Sequence, residues 1–74
     1  MKNKSKYVAG QLVHFRNRKF VNVGKDTVDV TPDIMFIVTE TRENIFHPDL
    51  SVYTIVNERI GTITIDECEI APLT

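Results

Sequence analysis

The chain has 74 residues, a mass of 8.5 kDa, a formal net charge of -1, 42% hydrophobic residues and 26% charged residues. That is the size and composition of one small folded domain with a thin core, and it argues against wholesale disorder and a large buried active site. No apolar run approaches the ~18 residues of a membrane span, and a single cysteine, Cys68, excludes an internal disulfide framework and fits a reducing, cytoplasmic setting.

The chain opens on Met1-Lys2-Asn3-Lys4-Ser5-Lys6, which no apolar signal core follows. Residues 1–7 read as a flexible basic tail, and residues 8–74 as the single domain. Gly10 then precedes Gln11-Leu12-Val13-His14-Phe15-Arg16, where period-two spacing turns Val13 and Phe15 to one face and His14 and Arg16 to the other. Phe20-Val21-Asn22-Val23 and Val28-Asp29-Val30 flank Gly24-Lys25-Asp26-Thr27, so a hairpin is predicted over residues 20–31. Phe15 and Phe20 are scarce large apolar residues and are assigned to the core. Pro32 interrupts. Ile34-Met35-Phe36-Ile37-Val38-Thr39 is a continuous apolar run and reads as a buried central strand.

The connection 42–50 carries Ile45, Phe46 and Leu50 where a plain loop would be polar. These residues either cap the core or project as a binding surface. Ser51–Asn57 reads as another strand and Glu58-Arg59-Ile60-Gly61 as a turn. In Gly61-Thr62-Ile63-Thr64-Ile65 the isoleucines point inward and the threonines outward. Asp66 starts a single helical turn over Glu67-Cys68-Glu69, and Ile70-Ala71-Pro72-Leu73 forms a last edge strand.

Five short strands, a long first connection, a compact middle hairpin, a helical turn and a terminal strand resemble an SH3-like barrel. Gly10–Phe15 looks like the opening strand of SH3-like and KOW-type domains, and Pro32–Val38 is similar to their second. Gly61–Leu73 is similar to the fourth strand, helical turn and last strand. The resemblance implies an all-β fold, a five-stranded barrel with a short helical turn before the last strand. Small solitary barrels of this kind resemble products of bacterial or phage genomes. The chain departs from the pattern in two places. Asn17-Arg18-Lys19-Phe20 stands where a KOW motif has its glycine, and the absence of tryptophan removes the aromatic groove that polyproline binding needs.

Charge is segregated along the chain. Met1 to Lys25 holds seven basic residues and no acid, whereas Asp26 to Thr74 holds ten acids against Arg42 and Arg59. Such asymmetry points to nucleic-acid contact or to pairing between the two halves within the fold. The cluster His14, Arg16, Arg18 and Lys19, with Phe15 and Phe20 beside it, is the candidate for gripping phosphates or a partner. Ile45, Phe46 and His47 form the candidate partner-binding loop. Cys68 sits between Glu67 and Glu69, whose charge opposes a thiolate, and reads as a small, partly buried hydrophobe. No metal-ligand spacing, phosphate loop or nucleophile–base motif is present. Asp26, Asp29 and Asp33 read as a solvated turn and strand face. The expectation is a non-enzymatic interaction module without cofactor or metal. A protein partner is its first reading and nucleic acid its second; free sheet edges leave self-association open.

Overall fold

A computed structural model describes residues 6–43 and 51–73. The fold is all-β. Seven strands run in chain order as β1 (Leu12–Phe15), β2 (Lys19–Val23), β3 (Asp26–Val30), β4 (Phe36–Glu43), β5 (Ser51–Asn57), β6 (Gly61–Asp66) and β7 (Ile70–Pro72). A 3₁₀ turn, Glu67–Glu69, links β6 to β7. Five strands form one antiparallel sheet in the order β6-β5-β4-β1-β7, and β2 and β3 form a separate two-stranded sheet. Among the described residues the architecture is thus seven strands in two sheets, with no ladder closing them into the expected five-stranded barrel. The two strands beyond the expected five, β2 and β3, are the hairpin predicted over residues 20–31 within the first long connection. No helix of the described residues is long and apolar enough to cross a membrane.

Alternation sets the core. Val13, Phe15, Phe36, Val38, Tyr53, Ile55, Ile63, Ile65 and Ile70 all turn inward and are buried. Phe15 and Phe36 rings lie 5.4 Å apart at a tilted angle, a favourable aromatic geometry. Each such side chain stabilises the fold by roughly 1.5–3 kcal/mol when fully buried. The apolar stretch 34–39 is central in the sheet but not buried throughout. Phe36 and Val38 face the core, while Met35 and Ile37 are exposed. The strand also runs on to Glu43, with a bulge between Val38 and Glu40 where Thr39 Oγ1 donates to the Thr54 carbonyl at 3.1 Å.

The β2–β3 hairpin closes on a two-residue loop, because Val23 pairs with Asp26. Gly24 has φ +62° and Lys25 keeps a negative φ, the pattern of a type II′ turn. Register then decides which face is inward. Val21 pairs with Val28, and Val30 joins them on the core side; Phe20 pairs with Asp29 and Asn22 with Thr27 on the other. Phe20 is therefore exposed, contrary to its assignment to the core. Gly61, at φ +110°, lies where a Cβ would come within 3.3 Å of Val23 Cγ1, so the β5–β6 turn and the hairpin meet closely there.

Tyr7 belongs to the core rather than to the basic tail. Its ring lies 5.4 Å from that of Tyr53, its hydroxyl donates to the Ile70 carbonyl at 3.3 Å, and its backbone N–H donates to the Tyr53 hydroxyl at 3.1 Å. The Tyr53 hydroxyl in turn donates to Glu67 Oε2 at 2.7 Å, which also accepts the Lys6 N–H at 3.3 Å. This network ties the start of the domain to the 3₁₀ turn. Burial, then the carboxylate of Glu67, holds the Tyr53 phenol above the usual tyrosine range.

Replacing Tyr53 with Phe strands the buried Tyr7 N–H, and the expected loss is roughly 1–3 kcal/mol of unfolding free energy. It is read as a lower urea midpoint at unchanged slope; an unchanged midpoint contradicts the network. Because the folded-state value is raised, the associated stability is complete below the ordinary tyrosine pKa and is lost as pH rises through the raised one. Tyr53→Phe should therefore flatten the alkaline limb of stability against pH.

Candidate interaction surfaces

The predicted basic cluster is assembled by β1, β2 and the bend between them. Val13 and Phe15 point inward, so His14 takes the opposite face of β1, and Arg16 follows in the bend after it. His14 stands opposite Ala71 of β7, half-buried, and its Nδ1 is enclosed without a hydrogen-bond partner. Arg16 Nε donates to the Ile70 carbonyl at 3.0 Å. Arg18 forks onto Asp29, with Nε at 2.8 Å from Oδ1 and Nη2 at 2.7 Å from Oδ2. Its guanidinium also lies 5.5 Å from the centre of the Phe20 ring. Lys19 Nζ donates to Glu69 Oε2 at 2.6 Å. The four residues are neighbours in space, but three of them already have acceptors within the chain.

These pairs explain the segregation of charge. Asp29 comes from β3 and Glu69 from the 3₁₀ turn, so acids of the later sequence return to meet the basic first third. The Asp29 carboxyl is held below the usual carboxylate range, chiefly by the hydrogen bond from Arg18. The Arg18 and Lys19 cations are raised for the reciprocal reason, hydrogen bonding to Asp29 and Glu69. Both pairs are substantially exposed, so their worth in stability is small. Their effect on recognition is larger, because a cation already matched to a carboxylate releases fewer counterions from a polyanion.

The other predicted surfaces fare differently. Ile45, Phe46 and His47 lie outside the described residues. Cys68 is exposed in the 3₁₀ turn rather than partly buried. Of the aspartate cluster, Asp29 is paired with Arg18 and Asp33 Oδ1 accepts from Thr31 Oγ1. Among the described residues, no group of three or more His, Cys, Asp or Glu is arranged to hold a metal ion.

An apolar surface emerges that includes Met35 and Ile37 of the stretch expected to be buried. Leu12 pairs with Ile37, and Ile37 with Val56, so the three cross β1, β4 and β5 on the outer face of the sheet. Leu12 is 41% exposed, Ile37 46% and Met35 52%. Beside them opens a cleft of about 660 Å³, walled by Val28 of the hairpin, Ile34 and Ile60, and rimmed by Asp33, Glu58 and Arg59. His14 occupies the same face of β1 as Leu12, two residues along. The alternation around Val13 already turned Leu12 outward. Only the strand register, which places it beside Ile37 and Val56, turns single exposed residues into a contiguous patch.

Replacing Arg18 with Ala should return the Asp29 carboxyl to the ordinary range, measured by carbon-detected NMR across an acid titration. The depressed value means that the pair stabilises the fold above the ordinary carboxylate pKa and ceases to do so as pH falls through Asp29's own lower value. An Asp29 titration unaffected by Arg18→Ala contradicts the ion pair. No known protein family, curated protein or solved structure matches the chain.

Proposed function

We propose that this chain is a non-enzymatic interaction module that binds a protein partner through the cleft beside Leu12, Met35 and Ile37. One observation carries the reading: the molecule leaves three large apolar side chains exposed together while its core is thin. Contiguous exposed apolar surface rimmed by polar groups marks protein-contact sites. The rim of Asp33, Glu58 and Arg59 supplies polar groups that orient a partner. An SH3-like arrangement is the architecture that best organises these parts. It is supported by five strands in one sheet, a long first connection bearing its own hairpin, a tight β5–β6 turn and a 3₁₀ turn before the last strand. A cytoplasmic setting follows the single exposed Cys68.

Nucleic-acid contact through His14, Arg16, Arg18 and Lys19 is the second reading. The observation in its favour is Phe20, exposed beside Arg18 where a base could stack. Against it stand the carboxylates that already hold Arg18 and Lys19.

The double variant Leu12→Ser with Ile37→Ser should abolish capture of the partner in an affinity pull-down while keeping a strand-rich circular dichroism spectrum and a cooperative melt. Capture that survives both substitutions contradicts the cleft. In parallel, titration with single-stranded and duplex oligonucleotides at low salt should show no saturable binding. Binding lost on replacing Arg16, Arg18 and Lys19 with Ala would favour the second reading instead.

A further inference from the structure

We propose, on the reading of the cleft as the partner surface, that the partner enters it as an extended basic strand, adding to the free edge of β3. The hairpin has one covered and one open edge. β2 lies against β6, and the two meet closely where Val23 approaches Gly61. β3 pairs with β2 alone, and no strand follows on its other side. Val23 and Asp26 flank a two-residue turn, so they exchange both backbone hydrogen bonds. The ladder alternates from there. Val28 bonds to Val21, whereas Thr27 and Asp29 turn their N–H and C=O groups away from β2. No backbone bond among the described residues reaches those four groups. They are the donors and acceptors that an added strand needs.

The cleft of about 660 Å³ opens beside this edge, and Val28 and Asp29 of β3 both line it. Its volume lies within the range that admits a ligand, roughly 300–1,000 Å³. Its apolar lining includes Leu12, Met35, Ile37 and Val56, with Val28 as the contribution of the edge itself. A strand laid along β3 alternates in the same way. Its residue opposite Val28 shares that side chain's face and reaches the apolar lining. Its residues opposite Thr27 and Asp29 stand on the exposed face of the hairpin.

Charge chooses the occupant. Asp29, Asp33 and Glu58 line the cleft against Arg59, and no lysine does. Asp29 is committed to Arg18, but Asp33 and Glu58 are exposed and form no ion pair among the described residues. An acidic rim over an apolar floor selects a segment that alternates apolar and basic side chains, and it repels an acidic one. A second copy of β3 is a poor occupant. Pairing two such edges brings four aspartates, Asp26 and Asp29 of each, to one ladder.

Two peptides with blocked ends test the strand addition, one alternating lysine with valine and one alternating glutamate with valine. The lysine peptide should bind saturably at low salt and more weakly as salt rises, and the glutamate peptide should not bind. In NMR spectra of the unaltered chain, the amide protons of Thr27 and Asp29 should move downfield on binding as new hydrogen bonds form. That of Val28, already bonded to Val21, should move little. N-methylation of the peptide's lysines, the residues set opposite Thr27 and Asp29, should weaken binding by about tenfold or more. Asp33→Lys with Glu58→Lys should lose the lysine peptide and admit the glutamate one. Leu12→Ser with Ile37→Ser separates this mode from the cleft itself. If that variant loses the peptide but the Thr27 and Asp29 amides of the unaltered chain never respond to it, the cleft stands and strand addition is overturned. If binding and the amide response survive in the variant, the apolar cleft is overturned and the edge stands. No binding of the lysine peptide at the highest soluble concentration, or equal binding of the glutamate peptide, also overturns the proposal.

Discussion

Docking of the β2–β3 hairpin against the inner face of the five-stranded sheet is the interaction on which the rest of this molecule depends. A lone two-stranded hairpin is marginal in water, and no backbone ladder ties this one to the sheet. It is held by side chains. Val30 is fully buried and Val21 nearly so, in one cluster with Phe15, Phe36, Tyr53 and Ile55. Each buried valine brings roughly 1.5–3 kcal/mol, which is enough to hold the hairpin only if both stay engaged. Lys19–Glu69 and the close approach of Val23 to Gly61 fix its position rather than its energy. The apolar cleft assigned here has the hairpin as one wall, through Val28.

The same docking accounts for the chain's charge. A basic first third and an acidic remainder look like a polyanion-binding design when read in a line. Folding brings β3 and the 3₁₀ turn back to the basic segment, and Asp29 and Glu69 satisfy Arg18 and Lys19. With those two cations matched, several large apolar side chains still stand on the surface. Leu12, Met35, Ile37 and Phe20 are among the large side chains that the thin core does not absorb.

Much of this fold was legible in period-two spacing. Val13 with Phe15, and Ile63 with Ile65, announce their inward faces because polar residues separate them. Gly24 marks the hairpin because a type II′ turn needs positive φ at that position. Phe20 was not legible. In Lys19-Phe20-Val21-Asn22-Val23 the set Val21 and Val23 competes with Phe20 and Asn22, and Phe20 was placed in the core on its size alone. The register chooses Val21, because it stands opposite Val28 while Phe20 stands opposite Asp29. The run 34–39 hid its alternation because both of its faces are apolar, so Met35 and Ile37 passed for core. Tyr7 was lost among lysines, since only Tyr53 and Ile70, distant in sequence, give it partners. The basic segment stood out in the sequence as a run of charge. Its neutralisation could not be read, because that depends on long-range pairing of Lys19 with Glu69.

Amide hydrogen exchange of the hairpin, compared strand by strand with the central sheet, tests this account most directly. If Val21 and Val30 lock β2–β3 into one cooperative core, the ladder amides of β2 and β3 exchange with the same free energy and denaturant dependence as those of β4 and β5. Exchange from the hairpin at rates near those of unprotected peptide, with β4 and β5 still protected, would contradict it and remove a wall from the apolar cleft.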